Sequence, residues 1–420
     1  MDNHLDTLSP LSPSDAETFA WVNEGPAFKV MSALEAAKSG ASRYVGGCVR
    51  DSLVGVTPKD IDIATTLMPD EVVEALKDAG LKSAPTGIEH GTITGIADYI
   101  GVEVTTLRAD VSTDGRRATV AFTDDWSMDA KRRDFTMNAL YLTQDKMLFD
   151  PVGGVDDLKA GRVKFIGDAG QRIREDYLRI MRFFRFSARF AATFDETGLT
   201  ACQDLRGGMK ALSAERIGDE LVKILNLPTA INAITAMNTS GVLSQVWPET
   251  AALDAFSRLK QFDKEAAAPL GLAALFGARD RSSDGKTIDT ALRLSKAQAD
   301  RRKLAIKNAL KILPDISEKD ACAVLYRIGD DGWRDAVMLA AANGEGSLEQ
   351  WQQWLDLSSR WVIPVFSIGG QNILDAGIEQ GPKVAKLLTA AETQWIEEGF
   401  PGAGRAQQIL QSLIETGRYS

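Results

Sequence analysis

The chain has 420 residues, 44% hydrophobic and 25% charged, with a formal charge of −10. That length holds roughly two to three domains with substantial cores, no apolar run reaches membrane-spanning length, and the acidic balance opposes indiscriminate binding to polyanions. Cys48, Cys202 and Cys322 lie far apart without CxxC spacing, and His4 and His90 are the two histidines, which excludes a disulfide framework, a zinc cluster and a multi-histidine metal site.

Residues 1–25 are expected to form an N-terminal extension, and their polar opening, Met1-Asp2-Asn3-His4-Leu5-Asp6, lacks signal-peptide character. With three thiols expected to be reduced, a cytoplasmic protein without a membrane partner is the natural expectation. From 26 to 150, short β-like runs alternate with helical stretches. The runs are Tyr44-Val45, Ile61–Ala64, Thr92–Ala97, Val102–Leu107 and Val120–Phe122, and the helices cover Asp70–Ala79 and Trp126–Lys131.

After the first run comes Gly46-Gly47, where a missing Cβ lets backbone N–H groups approach phosphate oxygens. Arg50 and Asp51 follow about one helical turn on, a cation able to clamp a triphosphate and an acid able to hold the loop. Taken alone, the glycine pair is an ordinary turn. In the next run Asp60 and Asp62 are two apart, so a strand presents their carboxylates side by side. Close anions repel until neutralised, and a hard divalent cation such as Mg²⁺, held by one or two carboxylates and substrate phosphates, neutralises them. Taken alone, the aspartates are a solvated strand end.

His90, in Gly87-Ile88-Glu89-His90-Gly91, is expected to be structural. Ile100-Gly101 after Tyr99 fits a hairpin between two strands. Glu103, on a strand able to lie beside Asp60 and Asp62, either completes the acidic site or is a cross-strand surface charge. Arg108 at that strand's end can face phosphates, and Asp110–Arg117, with Asp114-Gly115-Arg116, reads as a mobile loop. In the cluster Asp129–Asp134, Lys131 and Arg132 fit a solvated helix face.

Near residue 150 the pattern changes, and beyond about Gly170 the 3.6-residue period dominates, as in Ile217–Leu225, Ala252–Leu259, Gln298–Leu313, Asp320–Ile328 and Leu348–Leu357. Between Lys159 and Phe190 nine Lys or Arg stand against three acids, a local polyanion footprint in an acidic chain. Asp176 and Arg179, three apart, are neighbours on a helix face, with Arg182 and Arg185 near it. They make either an intrahelical ion pair or a base reader. Cytosine and adenine each place an amino donor beside a ring-nitrogen acceptor, whereas uracil and guanine reverse the order. A carboxylate only accepts and a guanidinium only donates, so this pair suits C and A and opposes U and G at about 1–3 kcal/mol per unpaired buried group.

Gly46-Gly47-Cys48-Val49-Arg50-Asp51 with Asp60-Ile61-Asp62 resembles the head domain of the class II tRNA nucleotidyltransferase and bacterial poly(A) polymerase family, a branch of the polymerase-β-like nucleotidyltransferases. Lys131–Ala139 is similar to the family's second motif, and Asp150-Pro151-Val152-Gly153-Gly154 with Asp157 to its neck motif. Glu175–Phe186 is similar to its nucleotide-reading helix, and Ser213–Leu221 to the segment that follows. Phe366–Gln371, Gly381–Ala385 and Trp395 resemble the tail of many bacterial members. The resemblance implies an α+β head domain over 26–150, a helical neck over 151–225 that reads the nucleotide, and a helical body and tail over 226–420 that grip tRNA. It implies that Arg133 reaches the triphosphate, that Asp134 and Asn138 support the ribose side, and that Asp176 and Arg179 choose the base. An appended His-Asp phosphohydrolase domain is not expected with so few histidines. The loop near 110–119 resembles an element that switches from C to A addition, although Ala118-Thr119 replaces the Pro-Asp of many relatives.

The expected activity is CCA addition to the 3′ end of tRNA from CTP and ATP, with Mg²⁺, with pyrophosphate release and without a nucleic-acid template; no DNA partner is expected. The alternatives are a poly(A) polymerase, which usually carries a more basic run where this chain has Gly91–Ile96, a partial CC- or A-adding enzyme, and a non-catalytic RNA-binding protein.

Overall fold

The computed structural model describes residues 8–12, 15, 17–114, 117–277 and 287–416. It divides into two compact units, Met1–Pro248 and Glu249–Ser420. His4 and the residue pair 115–116 lie outside the described residues.

The first unit opens on strands β1 (Ser9–Pro10), β2 (Ser42–Val45), β3 (Asp62–Thr65), β4 (Lys82–Gly87), β5 (Thr92–Ala97), β6 (Ile100–Thr106), β7 (Arg108–Asp114), β8 (Arg117–Phe122), β9 (Tyr141–Leu142) and β10 (Met147–Phe149). Eight of them form one sheet in the order β1-β10-β9-β2-β3-β6-β5-β4. The β3–β6 pair is parallel and sets Asp62 opposite Glu103. Helices α1 (Pro26–Ala37) and α3 (Pro69–Asp78) pack on the β4–β6 side, with α2 (Gly47–Leu53) following β2. Gly95 on β5 permits that approach, since a Cβ there would lie 3.1 Å from Val30 and 3.3 Å from Leu76.

The expected hairpin joins β5 to β6, but its turn is Asp98-Tyr99, both at positive φ (50° and 64°), as a two-residue turn matched to strand twist requires. The segment expected to be a mobile loop, 110–117, is instead strand on both sides of 115–116, β7 pairing antiparallel with β8. The edge strand β4 was not expected, because Lys82-Ser83-Ala84-Pro85-Thr86-Gly87 is polar and carries a proline, which an edge tolerates.

The helical part of this unit runs through α4 (Trp126–Lys131), α5 (Gly154–Lys159), α6 (Ala169–Glu175), α7 (Leu178–Phe190), α8 (Glu196–Leu205), α9 (Ala214–Leu225) and α10 (Ala230–Thr239). The neck motif acts locally. Asp150 accepts from the N–H groups of Gly154 and Val155 at 2.8 and 2.9 Å, Asp157 accepts from the Thr136 hydroxyl at 2.8 Å, and a Cβ on Gly154 would lie 2.2 Å from the Thr136 carbonyl oxygen. Behind α7 an aromatic core gathers Phe135, Phe165, Phe183 and Phe186.

The second unit is helical in its described residues: α11 (Leu253–Phe262), α12 (Ala268–Phe276), α13 (Lys296–Ala309), α14 (Glu318–Asn343, broken at Gly329, φ 71°), α15 (Leu348–Leu355), α16 (Pro382–Glu397) and α17 (Ala403–Glu415) are its main elements. One core surrounds Trp333, Trp351 and Trp354, and another Ile373, Trp395 and Ile409. Among the described residues, no helix is long and apolar enough to cross a membrane, and Cys48, Cys202 and Cys322 are buried free thiols.

Candidate active site

A cleft of about 960 Å³ in the first unit is lined by Gly46, Gly47, Arg50, Asp51, Asp60, Asp62, Arg133, Asp134, Asn138, Asp176, Arg179, Arg182 and Arg185. Glu103 is not on this wall. It lines an adjoining cleft of about 490 Å³ that shares Lys59, Asp60 and Asp62 with the first. Arg108 lines neither; its guanidinium donates to the His90 carbonyl at 2.9 Å.

The acidic pair straddles a strand end: β3 begins at Asp62, and Asp60 sits in the bend before it. The Asp62 carboxyl is pushed up to about 6, first by desolvation in the cleft, then by Glu103, with Arg133 opposing and Asp60 adding to the rise. Among the described residues no three His, Cys, Asp or Glu side chains gather as a closed metal cage. Two all-oxygen ligands, Asp60 and Asp62, on the cleft wall beside its cations fit a hard divalent ion that also binds phosphates.

Gly46 stands at φ 72°, and its N–H donates to the Leu140 carbonyl at 2.9 Å, so the sheet takes this amide rather than a ligand. A Cβ there would meet only ordinary contacts, the Asn138 carbonyl oxygen at 3.4 Å and Arg133 at 3.5 Å, so it is the positive φ that calls for glycine. Arg50 is 5% exposed. It donates to Asp51 Oδ1 from Nε and Nη2 at 2.8 and 2.6 Å and to the Asn138 side-chain oxygen. Asn138 donates to Asp134 at 2.9 Å, and Asp134 accepts from Arg182 Nε at 2.7 Å. Burial alone would raise the Asp134 carboxyl, but Arg182 and Asn138 hold it below the usual range. A continuous polar chain thus joins α2 to α7.

Of the two residues expected on a solvated helix face, Lys131 is exposed but Arg132 turns to a buried acid. Asp129 is 1% exposed and binds Arg132 at 2.6 Å and Arg133 at 3.1 Å while accepting from the Tyr141 hydroxyl at 2.8 Å. Burial pushes its carboxyl up, yet Arg133 and Arg132 bring it down to about 2. Arg132 therefore belongs to the cleft wall, while Lys131 is exposed.

Asp176 and Arg179 do not share a helix. Asp176 closes α6 in an extended conformation (φ −153°, ψ 107°) before α7 starts at Leu178. Asp176 accepts from the Leu178 N–H at 3.0 Å and from Arg216 Nη2 at 2.7 Å. Arg179 binds Glu175 at 2.6 Å and donates to the carbonyls of Arg172 and Arg132. Both face the same cleft. Arg185 pairs with Glu220 at 2.6 Å.

Several cleft residues escaped the sequence reasoning: Lys59, Arg189 and Lys223 on its wall, and Asp129, Glu175, Arg216 and Glu220 as partners of its arginines. Arg189, which binds Asp51 at 2.9 Å, carried a signal, since it continues the stripe of Arg179, Arg182 and Arg185 at helical spacing. Seven arginines and two lysines line the cleft against five aspartates, an inversion of the chain's overall sign.

A family model described as Poly A polymerase head domain matches residues 42–164. A second, described as Probable RNA and SrmB-binding site of polymerase A, matches 193–253. The CCA tRNA nucleotidyltransferase 1, mitochondrial, of Mus musculus is 34% identical over 413 residues, covering 95% of this chain and 92% of that one. The CCA-adding enzyme of Levilactobacillus brevis is 30% identical over 372 residues, 85% of this chain and 90% of that one. In fold, the chain is similar to the crystal structure of the Bacillus stearothermophilus CCA-adding enzyme in complex with CTP, with a TM-score of 0.73 and 23% identity over 97% of this chain and 99% of that one. Fold and cleft together define a nucleotidyltransferase. By the identity and coverage of its relatives, the chain belongs to the family of CCA-adding tRNA nucleotidyltransferases.

Proposed function

We propose that this enzyme adds C, C and A in turn to the 3′ end of tRNA from CTP and ATP, releasing pyrophosphate, and that it does so in the cytoplasm. The observation that carries the reading is the meeting, in one cleft, of the Asp60–Asp62 pair with the arginine stripe of α7 and the Asp176–Arg179 pair. The triphosphate lies among Arg50, Arg133, Arg182 and Arg185, with Asp51, Asp134 and Asn138 holding those cations and the ribose side in place. Gly46 and Gly47 keep the turn beneath it free of side chains. Asp176 accepts the amino proton of C or A, and Arg179 donates to the ring nitrogen beside it.

Asp60 and Asp62 would hold a divalent ion, Mg²⁺ in this proposal, which when bound offsets charge on the attacking and leaving oxygens. The RNA 3′ oxygen attacks the α-phosphorus in line, forming the new phosphodiester as the bond to pyrophosphate breaks. Glu103, opposite Asp62, orients the acidic pair from the adjoining cleft.

Asp60→Ala compared with the wild type on a tRNA lacking its terminal CCA tests the assignment. The variant is expected to add no nucleotide while binding CTP with little loss of affinity. Equal extension by the two proteins overturns it.

A further inference from the structure

The base-choosing pair has a built-in hazard. Asp176 and Arg179 carry opposite charges, stand three residues apart and open onto one cleft, which Arg182 also lines. Left to themselves, the carboxylate and a neighbouring guanidinium would pair, and neither would offer hydrogen bonds to a base. In the structure each has a separate partner. Arg179 is held by Glu175 at 2.6 Å and by two backbone carbonyls. Asp176 is held by Arg216 at 2.7 Å.

We propose that Arg216 is a positioning residue for base choice: it holds Asp176 away from the cleft arginines, with its carboxylate fixed for an incoming C or A. This rests on the assignment of Asp176 to base choice made above.

The geometry supports a positioning role rather than a contact with nucleotide. Arg216 lies in the first turn of α9, where its N–H is bound by the Ser213 hydroxyl, and it is not on the cleft wall, whereas Asp176 is. The Leu178 N–H fixes Oδ1 of Asp176 and Arg216 fixes Oδ2, so together they set the plane of the carboxylate. Oδ2 keeps a further lone pair for a base amino group, because a carboxylate oxygen accepts more than one hydrogen bond. The Arg216 and Asp176 side chains are 48% and 33% exposed. Pairs of that exposure add little stability, so the contact is better explained by orientation than by holding the fold together.

The test measures kcat and KM for CTP, UTP, ATP and GTP with Arg216→Gln, Arg216→Lys and Asp176→Ala, alongside thermal unfolding. Arg216→Gln is expected to reduce the preference for C over U and for A over G by roughly 10- to 100-fold. The change should come mainly through KM for the correct nucleotide and faster use of the wrong one, at an unchanged unfolding temperature. Arg216→Lys, which keeps a cation within reach, is expected to recover part of the discrimination. An Arg216→Gln enzyme that slows equally with all four nucleotides, or keeps its base choice while Asp176→Ala loses it, overturns the inference. If Asp176→Ala keeps its base choice, the underlying assignment fails, and the role of Arg216 with it.

Discussion

Asp62 carries a pH signature that separates stability from activity. Its carboxyl, raised to about 6 by desolvation and by Glu103, binds a proton more tightly in the folded chain than in the unfolded one. Between about pH 4 and 6 the metal-free protein therefore loses stability as pH rises. After allowance for its access to solvent, Asp62→Asn is predicted to stabilise the metal-free protein at pH 7 by about 1 kcal/mol, measurable by urea unfolding, while abolishing nucleotide addition. Activity is predicted to fall as pH drops through about 6, and added divalent ion should move that midpoint lower, because it favours the ionised carboxylate. Asp129 behaves oppositely. Held down to about 2, it contributes stability that is complete above about pH 4 and lost as pH falls through 2. Asp129→Ala strands two partly buried arginines and is predicted to cost about 3 kcal/mol in urea unfolding. A loss below 1 kcal/mol would show that Arg132 and Arg133 find other partners.

At the scale of elements, the joints matter more than the spans. Gly154 lets α5 start against the Thr136 carbonyl, 2.2 Å from where a Cβ would sit. Gly154→Ala is predicted to destabilise the first unit by about 2 kcal/mol or more through overpacking, seen as a lowered unfolding midpoint; no shift would mean that α5 can slide. The strands and helices around the acidic pair were legible because period-two and period-3.6 patterns survive in a single sequence. So was the glycine turn, since only a residue without Cβ adopts φ 72° there easily. The break between α6 and α7 was not legible, because helical periodicity runs through it. At the break Asp176 takes the Leu178 N–H, and the Tyr177 ring packs against Gly208, where a Cβ would come within 1.9 Å. The burial of Asp129 was not legible either, because the Tyr141 hydroxyl that binds it lies on a strand farther along the chain.

Over the whole molecule, charge is distributed against its sum. A chain of formal charge −10 gathers seven arginines and two lysines on one cleft wall, which favours a polyanion placed in the cleft over one bound along the surface. A duplex DNA of similar length is accordingly predicted to compete poorly with tRNA in fluorescence anisotropy at physiological salt, and equal competition would point to charge alone as the basis of binding. In the proposed reaction, side chains of this chain, without a nucleic-acid template, build C, C and A and then stop. The most direct measurement incubates the protein and Mg²⁺ with a tRNA lacking its CCA end, offers CTP alone, ATP alone or both, and resolves products at single-nucleotide length. Two additions with CTP, then a third that needs ATP, then no more, is the predicted result; a long ladder with ATP alone, or no extension at all, would contradict it.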